Sequence, residues 1–284
     1  MINLLRKYSR QQGETLPCCF YLLIVNTIFE PDSVLLFEIR TCLKNFAIIS
    51  AYCLLLAWPL LSWSPPPATA SSLTTEERTP VTHRLEAEIS SLYDMMNLEQ
   101  WGLSKRAFSY AYKGYITLVK KKIISRQQYL TICDFGQSSK NKRLYVLDMA
   151  CNEVVMNTYV AHGRMSGGEY ATRFSNRPRS NQSSLGFYRT MHTYHGEHGL
   201  SLRVKGLEAG YNDKAGPRAI VIHGADYIGD KWLERNSFMG RSYGCPAVPR
   251  EESRDIINTI KDGSCLFIYY PSKSYLAGSK ILNG

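Results

Sequence analysis

The chain has 284 residues, 44% of them hydrophobic and 20% charged, with 34 Lys and Arg against 24 Asp and Glu for a formal net charge of +10. That length and apolar content can bury a large core and exclude a disordered chain. The basic surplus favours anionic surfaces or substrates, but no basic helix or repeated aromatic platform accompanies it, so nucleic acid is not an expected partner.

The first 70 residues read as an export signal region. Phe46 to Trp63, FAIISAYCLLLAWPLLSW, is an uncharged run preceded by Arg40 and Lys44 and followed by Ser64-Pro65-Pro66-Pro67 and Ala68-Thr69-Ala70. Basic, then apolar, then small is the order of a cleavable export signal, with cleavage expected after Ala70. A run of this length can also serve as a membrane anchor. Cleavage is favoured because Pro59 interrupts the run near its end. A shorter apolar stretch, Leu16 to Phe29, lies upstream. In either case Ser71 onward is expected outside the cytoplasm, in the periplasm or cell envelope, with 29 basic and 20 acidic side chains. Cys133, Cys151, Cys245 and Cys265 belong to that part. Four cysteines allow three full pairings, one of which links Cys133 to Cys151, and the sequence does not choose.

Residues 71–125 read as a linker and a helical appendage. After polar Ser71 to Thr79, apolar positions recur at helical spacing over 81–98, at Leu85, Ile89, Leu92, Met95, Met96 and Leu98. Ser104 is placed to cap a second helix running to about Lys122, with Phe108, Ala111, Tyr112, Tyr115, Leu118 and Val119 along one face. The period then changes. Tyr129 to Cys133, Arg143 to Asp148 and Val154 to Val160 are strand-like and separated by turn residues, most simply as a β-meander. Further β-rich runs fall at 185–194, 200–204 and 218–223, a short helix at 250–262, and a last strand at Cys265 to Tyr270. Residues 126–284 are therefore expected to form a mainly β catalytic domain, α+β overall with the N-terminal helices and a short C-terminal helix.

The chemistry concentrates in His223-Gly224-x17-Ser242-Tyr243-Gly244-Cys245-Pro246. A thiol is a strong nucleophile but is mostly protonated at neutral pH, so it needs a base or a field that favours thiolate. His223, at the exit of the apolar run Ala219-Ile220-Val221-Ile222, is the candidate base. Gly244 allows a tight turn that presents backbone N–H groups to an oxyanion beside the sulfur. A buried structural cysteine and a satisfied core histidine are the plainer alternative.

Over roughly Tyr129 to Tyr275 the chain resembles the YkuD-type L,D-transpeptidases, in the branch described as murein L,D-transpeptidase catalytic domain proteins. The phrases that carry the likeness are YVAHGRMSGGEYATRFSN, SSLGFYRT, HGLSLRVKGLEAGYND, RAIVIHGADY and GRSYGCPAVP, in that order. The resemblance implies a β-sandwich-like catalytic domain, export to the cell wall and acyl transfer on peptidoglycan stem peptides, with no metal and no organic cofactor. It implies Cys245 as nucleophile, His223 as base, the Gly224 carbonyl as the group orienting the imidazole, and the Gly244 and Cys245 N–H groups as the oxyanion hole. It further implies attack on the third stem-peptide residue, release of the terminal D-alanine, and resolution by a neighbouring amine to give a 3→3 cross-link.

Two positions depart from the commoner family motif. Tyr243 stands where a histidine is usual, and Pro246-Ala247 replaces an aliphatic-Arg pair. Tyr243 cannot serve as a base near neutrality, because its ordinary pKa is about 10; with Ser242 and Arg241 it is an expected substrate contact. Carboxylate recognition falls to Arg241, Arg189, Arg203 or Arg218. Three rivals are weighed. His192, His195 and His198 have the residue type of a zinc site, yet positions three apart on a strand point to opposite faces. With water in place of the amine, the same acyl-enzyme would make an L,D-carboxypeptidase or an amidase acting on a wall-linked lipoprotein. A non-catalytic wall-binding protein is the third.

Overall fold

The computed structural model describes residues 79–284. The apolar segment 46–63, the cleavage position after Ala70 and the linker up to residue 78 lie outside the described residues. Two helices come first, α1 (Thr79–Met95) and α2 (Lys105–Lys120). Ser104 caps α2, its Oγ accepting the Ala107 N–H at 3.1 Å and so pairing a donor the first turn would leave open. Eight strands follow: β1 (Tyr129–Asp134), β2 (Leu144–Asp148), β3 (Glu153–Thr158), β4 (Gly186–Gly196), β5 (Gly199–Gly206), β6 (Val221–Ala225), β7 (Ala247–Pro249) and β8 (Cys265–Tyr269). Helix α3 (Asp230–Leu233) lies between β6 and β7, α4 (Arg250–Ile260) between β7 and β8, and α5 (Lys273–Gly278) and α6 (Lys280–Asn283) come last. No described helix is long and apolar enough to cross a membrane.

The strands form one sheet in the order β3-β2-β1-β8-β4-β5-β6-β7. Strands β1 to β3 make the expected meander of antiparallel pairs. The last strand does not extend the sheet at an edge. It inserts at the centre, parallel to β1 and antiparallel to β4, and all of its residues are buried. That position explains its continuous apolar run, because a strand covered on both faces has no polar side to alternate with. At the two edges, the chain leaving β3 reaches across to β7. Ala161 donates its N–H to the Ala247 carbonyl at 2.8 Å, drawing the edges together and curling the sheet toward a barrel. The mainly β, α+β architecture is thus one curled sheet with helices against it.

The helices share its core. Ala107, Phe108, Ala111 and Leu118 of α2 are buried with the apolar residues of β1, β2, β4 and β8, and Tyr110 stacks on Tyr269 with 6.1 Å between ring centres. The described residues form one compact unit in which both N-terminal helices share the core of the sheet. Each fully buried Leu, Ile or Phe there contributes about 1.5–3 kcal/mol. A buried carboxylate fastens the other end of the chain. Glu208 accepts from the Phe187 N–H and the Tyr275 hydroxyl, both at 2.8 Å, and from the Ser279 hydroxyl, tying α5 and α6 to β4.

Candidate active site

Strand β6 is buried along its length and carries His223, only 3% exposed, at its middle position. The ring's Nδ1 lies 3.1 Å from the Gly224 carbonyl oxygen. With Nδ1 protonated and donating there, Nε2 is left as an acceptor facing away from the main chain. The next residue has to be glycine, because a Cβ on Gly224 would lie 2.6 Å from Ser253 Oγ of α4.

The cysteine sits on a loop pinned from both sides. From the segment after β3, His162 accepts the Ser242 N–H at 3.0 Å and Arg164 donates its N–H to the Ser242 carbonyl at 2.7 Å. From the segment before β4, Ser183 Oγ donates to the Gly244 carbonyl at 3.3 Å. Gly244 has φ +125°, a conformation L side chains rarely adopt, and a Cβ there would meet the Gln182 carbonyl at 2.8 Å. The half-buried Cys245 sulfur accepts the Val221 N–H at 3.5 Å, and its thiol points to the Ala219 carbonyl at 3.7 Å. It therefore docks on the backbone of β6 two residues before His223, a spacing of roughly 6.6 Å along the strand. The thiol and the imidazole are not hydrogen-bonded to one another here.

Burial pushes the Cys245 thiol above its ordinary value, an effect reduced by the Val221 N–H and the Arg218 guanidinium. Burial also holds His223 below its ordinary value of 6.5; the Gly224 carbonyl opposes this, and the charges of His198 and Arg250 reinforce it. Both groups are consequently neutral at pH 7. Arg218 is the one of the four candidate arginines that acts on the sulfur. Its Nη1 donates to the Ser175 carbonyl at 2.8 Å and to Ser184 Oγ at 3.1 Å, while Nη2 donates to Ser180 Oγ at 3.3 Å and to the Gln182 carbonyl. With its donors engaged, Arg218 is a structural cation under the loop. Arg203 lies over the Tyr194 ring, and Arg189 reaches Ser125.

Two expected roles change on this geometry. Ser242 is 3% exposed, and its hydroxyl donates to the Cys245 carbonyl at 2.6 Å while accepting the Gly244 N–H at 3.1 Å. It shapes the turn instead of facing a substrate. For the same reason the Gly244 N–H is engaged, whereas the Cys245 N–H has no acceptor among the described residues. Tyr243 does face outward, 69% exposed, with the Arg164 guanidinium 5.4 Å from its ring centre. Beside it opens a cavity of about 900 Å³ lined by Arg164, Tyr227, Trp232, Phe238, Arg241 and Tyr243 among others. Among the described residues no three His, Cys, Asp or Glu side chains gather to hold a metal, and Cys133, Cys245 and Cys265 are free thiols.

Two features escaped the sequence reading. Arg143 is fully buried without a carboxylate; it donates to the Val160 carbonyl from Nε and Nη2 at 3.1 and 3.0 Å, and from Nη2 to His162 Nδ1 at 2.8 Å. Burial first and Arg143 second bring His162 down to about 3, so it is a neutral prop beneath the cysteine loop. The second is His198, whose ring stacks on His223 with 4.1 Å between centres and 19° between planes. The run from His192 to His198, read as extended in the sequence, instead turns at Gly196-Glu197-His198-Gly199 in a two-residue hairpin that places His198 at its tip.

In a curled, mainly β domain, a loop-borne thiol thus lies against the buried strand that carries an imidazole, residue types that nucleophile-and-base chemistry uses. The chain belongs to the L,D-transpeptidase catalytic domain family, whose YkuD_2 profile it matches over residues 99–269. No curated protein matches it. Solved structures that it resembles include an L,D-transpeptidase from Mycobacterium smegmatis, at 11% identity and a TM-score of 0.31 over 50% of this chain and 59% of that one. An Enterococcus faecium L,D-transpeptidase mutant gives 12% and 0.29 over 49% and 48%. L,D-transpeptidase 3 from Mycobacterium tuberculosis gives 10% and 0.30 over 50% and 61%. The chain spans about half to three fifths of the length of these structures.

Proposed function

We propose that this protein is an exported peptidoglycan L,D-transpeptidase that forms 3→3 cross-links through a Cys245 acyl-enzyme. The observation that carries the reading is the docking of the Cys245 sulfur on the Val221 N–H, two residues from a buried His223 whose Nδ1 faces the Gly224 carbonyl. In the first step His223 Nε2 takes the thiol proton as sulfur attacks the carbonyl of the third stem-peptide residue. The Cys245 N–H receives the oxyanion, joined by the Gly244 N–H when Ser242 Oγ releases it; each such donor is worth about 10²–10³ in rate. Collapse of the intermediate breaks the peptide bond, and the departing D-alanine amine takes the proton from His223. An amine of a neighbouring stem then attacks the thioester, His223 accepts its proton, and the sulfur leaves and is reprotonated.

A neutral thiol and a neutral imidazole are the right starting forms for this transfer, since the proton moves only as the nucleophile commits. The depressed His223 places the acid limb of kcat/KM below pH 6.5, with activity rising to a plateau above it. Arg164, Arg241 and Tyr243 line the neighbouring cavity, where guanidinium groups pair with the carboxylates of a stem peptide. Delivery to the periplasm or cell envelope belongs to the same proposal and rests on the apolar segment 46–63.

The test incubates the full-length protein with muropeptides and reads products by mass spectrometry. Loss of D-alanine together with dimers is the expected result. Trimmed monomers alone would reassign the acceptor to water, and release of a wall-linked lipoprotein would reassign the substrate. A Cys245→Ala protein with full activity would overturn the thiol mechanism.

A further inference from the structure

The strands β4 and β5 form the long hairpin of the sheet, and its tip is placed by pairings on both sides. Gly196 pairs with Gly199 across the two-residue turn, and Ser201 of β5 pairs with His223 of β6. The hairpin stem is braced by Arg203, whose guanidinium lies 4.4 Å from the Tyr194 ring centre. This geometry sets the exposed His198 ring on the His223 imidazole at 4.1 Å and nearly parallel. We infer that His198 is a positioning residue of the site, clamping the His223 ring in the orientation that the Gly224 carbonyl selects. The inference rests on His223 acting as the base.

The reason is steric and electrostatic. His223 is held at one end by the Gly224 carbonyl, a contact that leaves the ring free to tilt about it. A flat ring stacked on its face removes that freedom, as offset aromatic pairs do. His198 and Arg250, the latter at the start of α4 and itself paired with Asp226, both disfavour a charge on His223. The other neighbours of His223, Ser201 from β5 and Ala247 from β7, carry no charge, and Cys245 is a neutral thiol.

Two variants of the full-length protein separate the ring from the charge. His198→Ala removes both, and His198→Phe keeps a flat ring without the charge. The kcat on muropeptides is expected to fall about 2- to 10-fold in His198→Ala, with most of the loss recovered in His198→Phe. In both, the acid limb of kcat/KM and the His223 titration followed by NMR are expected to move to higher pH. Wild-type kcat in His198→Ala would overturn the inference, and so would equal losses in both variants with no movement of the limb or the titration. The NMR titration decides the coupling even if Cys245→Ala retains activity, so this proposal and the acyl-enzyme reading fail separately.

Discussion

The two ends of the sheet treat their polar groups differently. Around β4 and β8 two buried polar hubs are filled. Glu208 holds three donors, and Thr190 Oγ1 donates to the Ile260 carbonyl while accepting the N–H groups of Gly263 and Ser264. Around β6 and the 240–246 loop the backbone is held just as firmly, but valences are left over: His223 Nε2, the Cys245 N–H and the outward face of Tyr243. Saturation gives stability, because an unpaired buried polar group costs about 1–3 kcal/mol. The site gives up part of that gain to keep groups open for a reacting molecule, and the surrounding pairings let it do so without losing its shape.

The largest effect that would sharpen this contrast is on turnover. His223→Ala should lower kcat by about 10²–10⁴-fold and leave the thermal midpoint near that of the wild type, as checked by muropeptide assay and calorimetry. Gly244→Ala lies on the boundary of the two behaviours. Its φ of +125° and the 2.8 Å approach to Gln182 predict both a stability loss of about 1–3 kcal/mol and a fall in kcat, because the loop must shift and carries the sulfur with it. If only one of the two quantities moved, the loop and the site would be separable.

At the saturated end the expectation reverses. Glu208→Ala strips the acceptor from three donors and should cost about 2–4 kcal/mol, with the activity per folded molecule unchanged. Burial holds the Glu208 carboxyl above its ordinary value of 4.5, so the folded protein binds that proton more readily than the unfolded chain. Its contribution is greatest below 4.5 and declines as pH rises through the folded value, and Glu208→Gln should flatten that part of the stability curve. The smallest effect is expected at Tyr243→Ala, a rise of a few fold in KM with kcat little changed, since the side chain is exposed and lies against Arg164 at the cavity rim.

Much of this was readable residue by residue. The Ser104 cap, the helical stripe of α2 and the strand at Cys265 all follow from contacts within a few positions, and they appear within a residue or two of where the pattern puts them. The pairing of a thiol loop with a strand-borne histidine was readable too, because each motif carries its own local chemistry. Ser242 was not, since the same hydroxyl serves a substrate or a turn depending on which way a left-handed glycine aims it. The buried Arg143 was equally hidden: a cation ahead of an apolar run looks like a solvated strand end until three carbonyl and imidazole acceptors close around it.

Sequence alone singled out Cys245 and His223 as the candidate pair and determined the mainly β character of the domain around them, because nucleophile chemistry and strand periodicity are short-range properties. Only the tertiary structure decided that β8 enters the centre of the sheet, that the helices share its core, and that a hairpin tip lays His198 on the base. Those outcomes depend on which apolar faces cover one another across more than a hundred residues of chain, and that competition is settled by packing rather than by any local pattern.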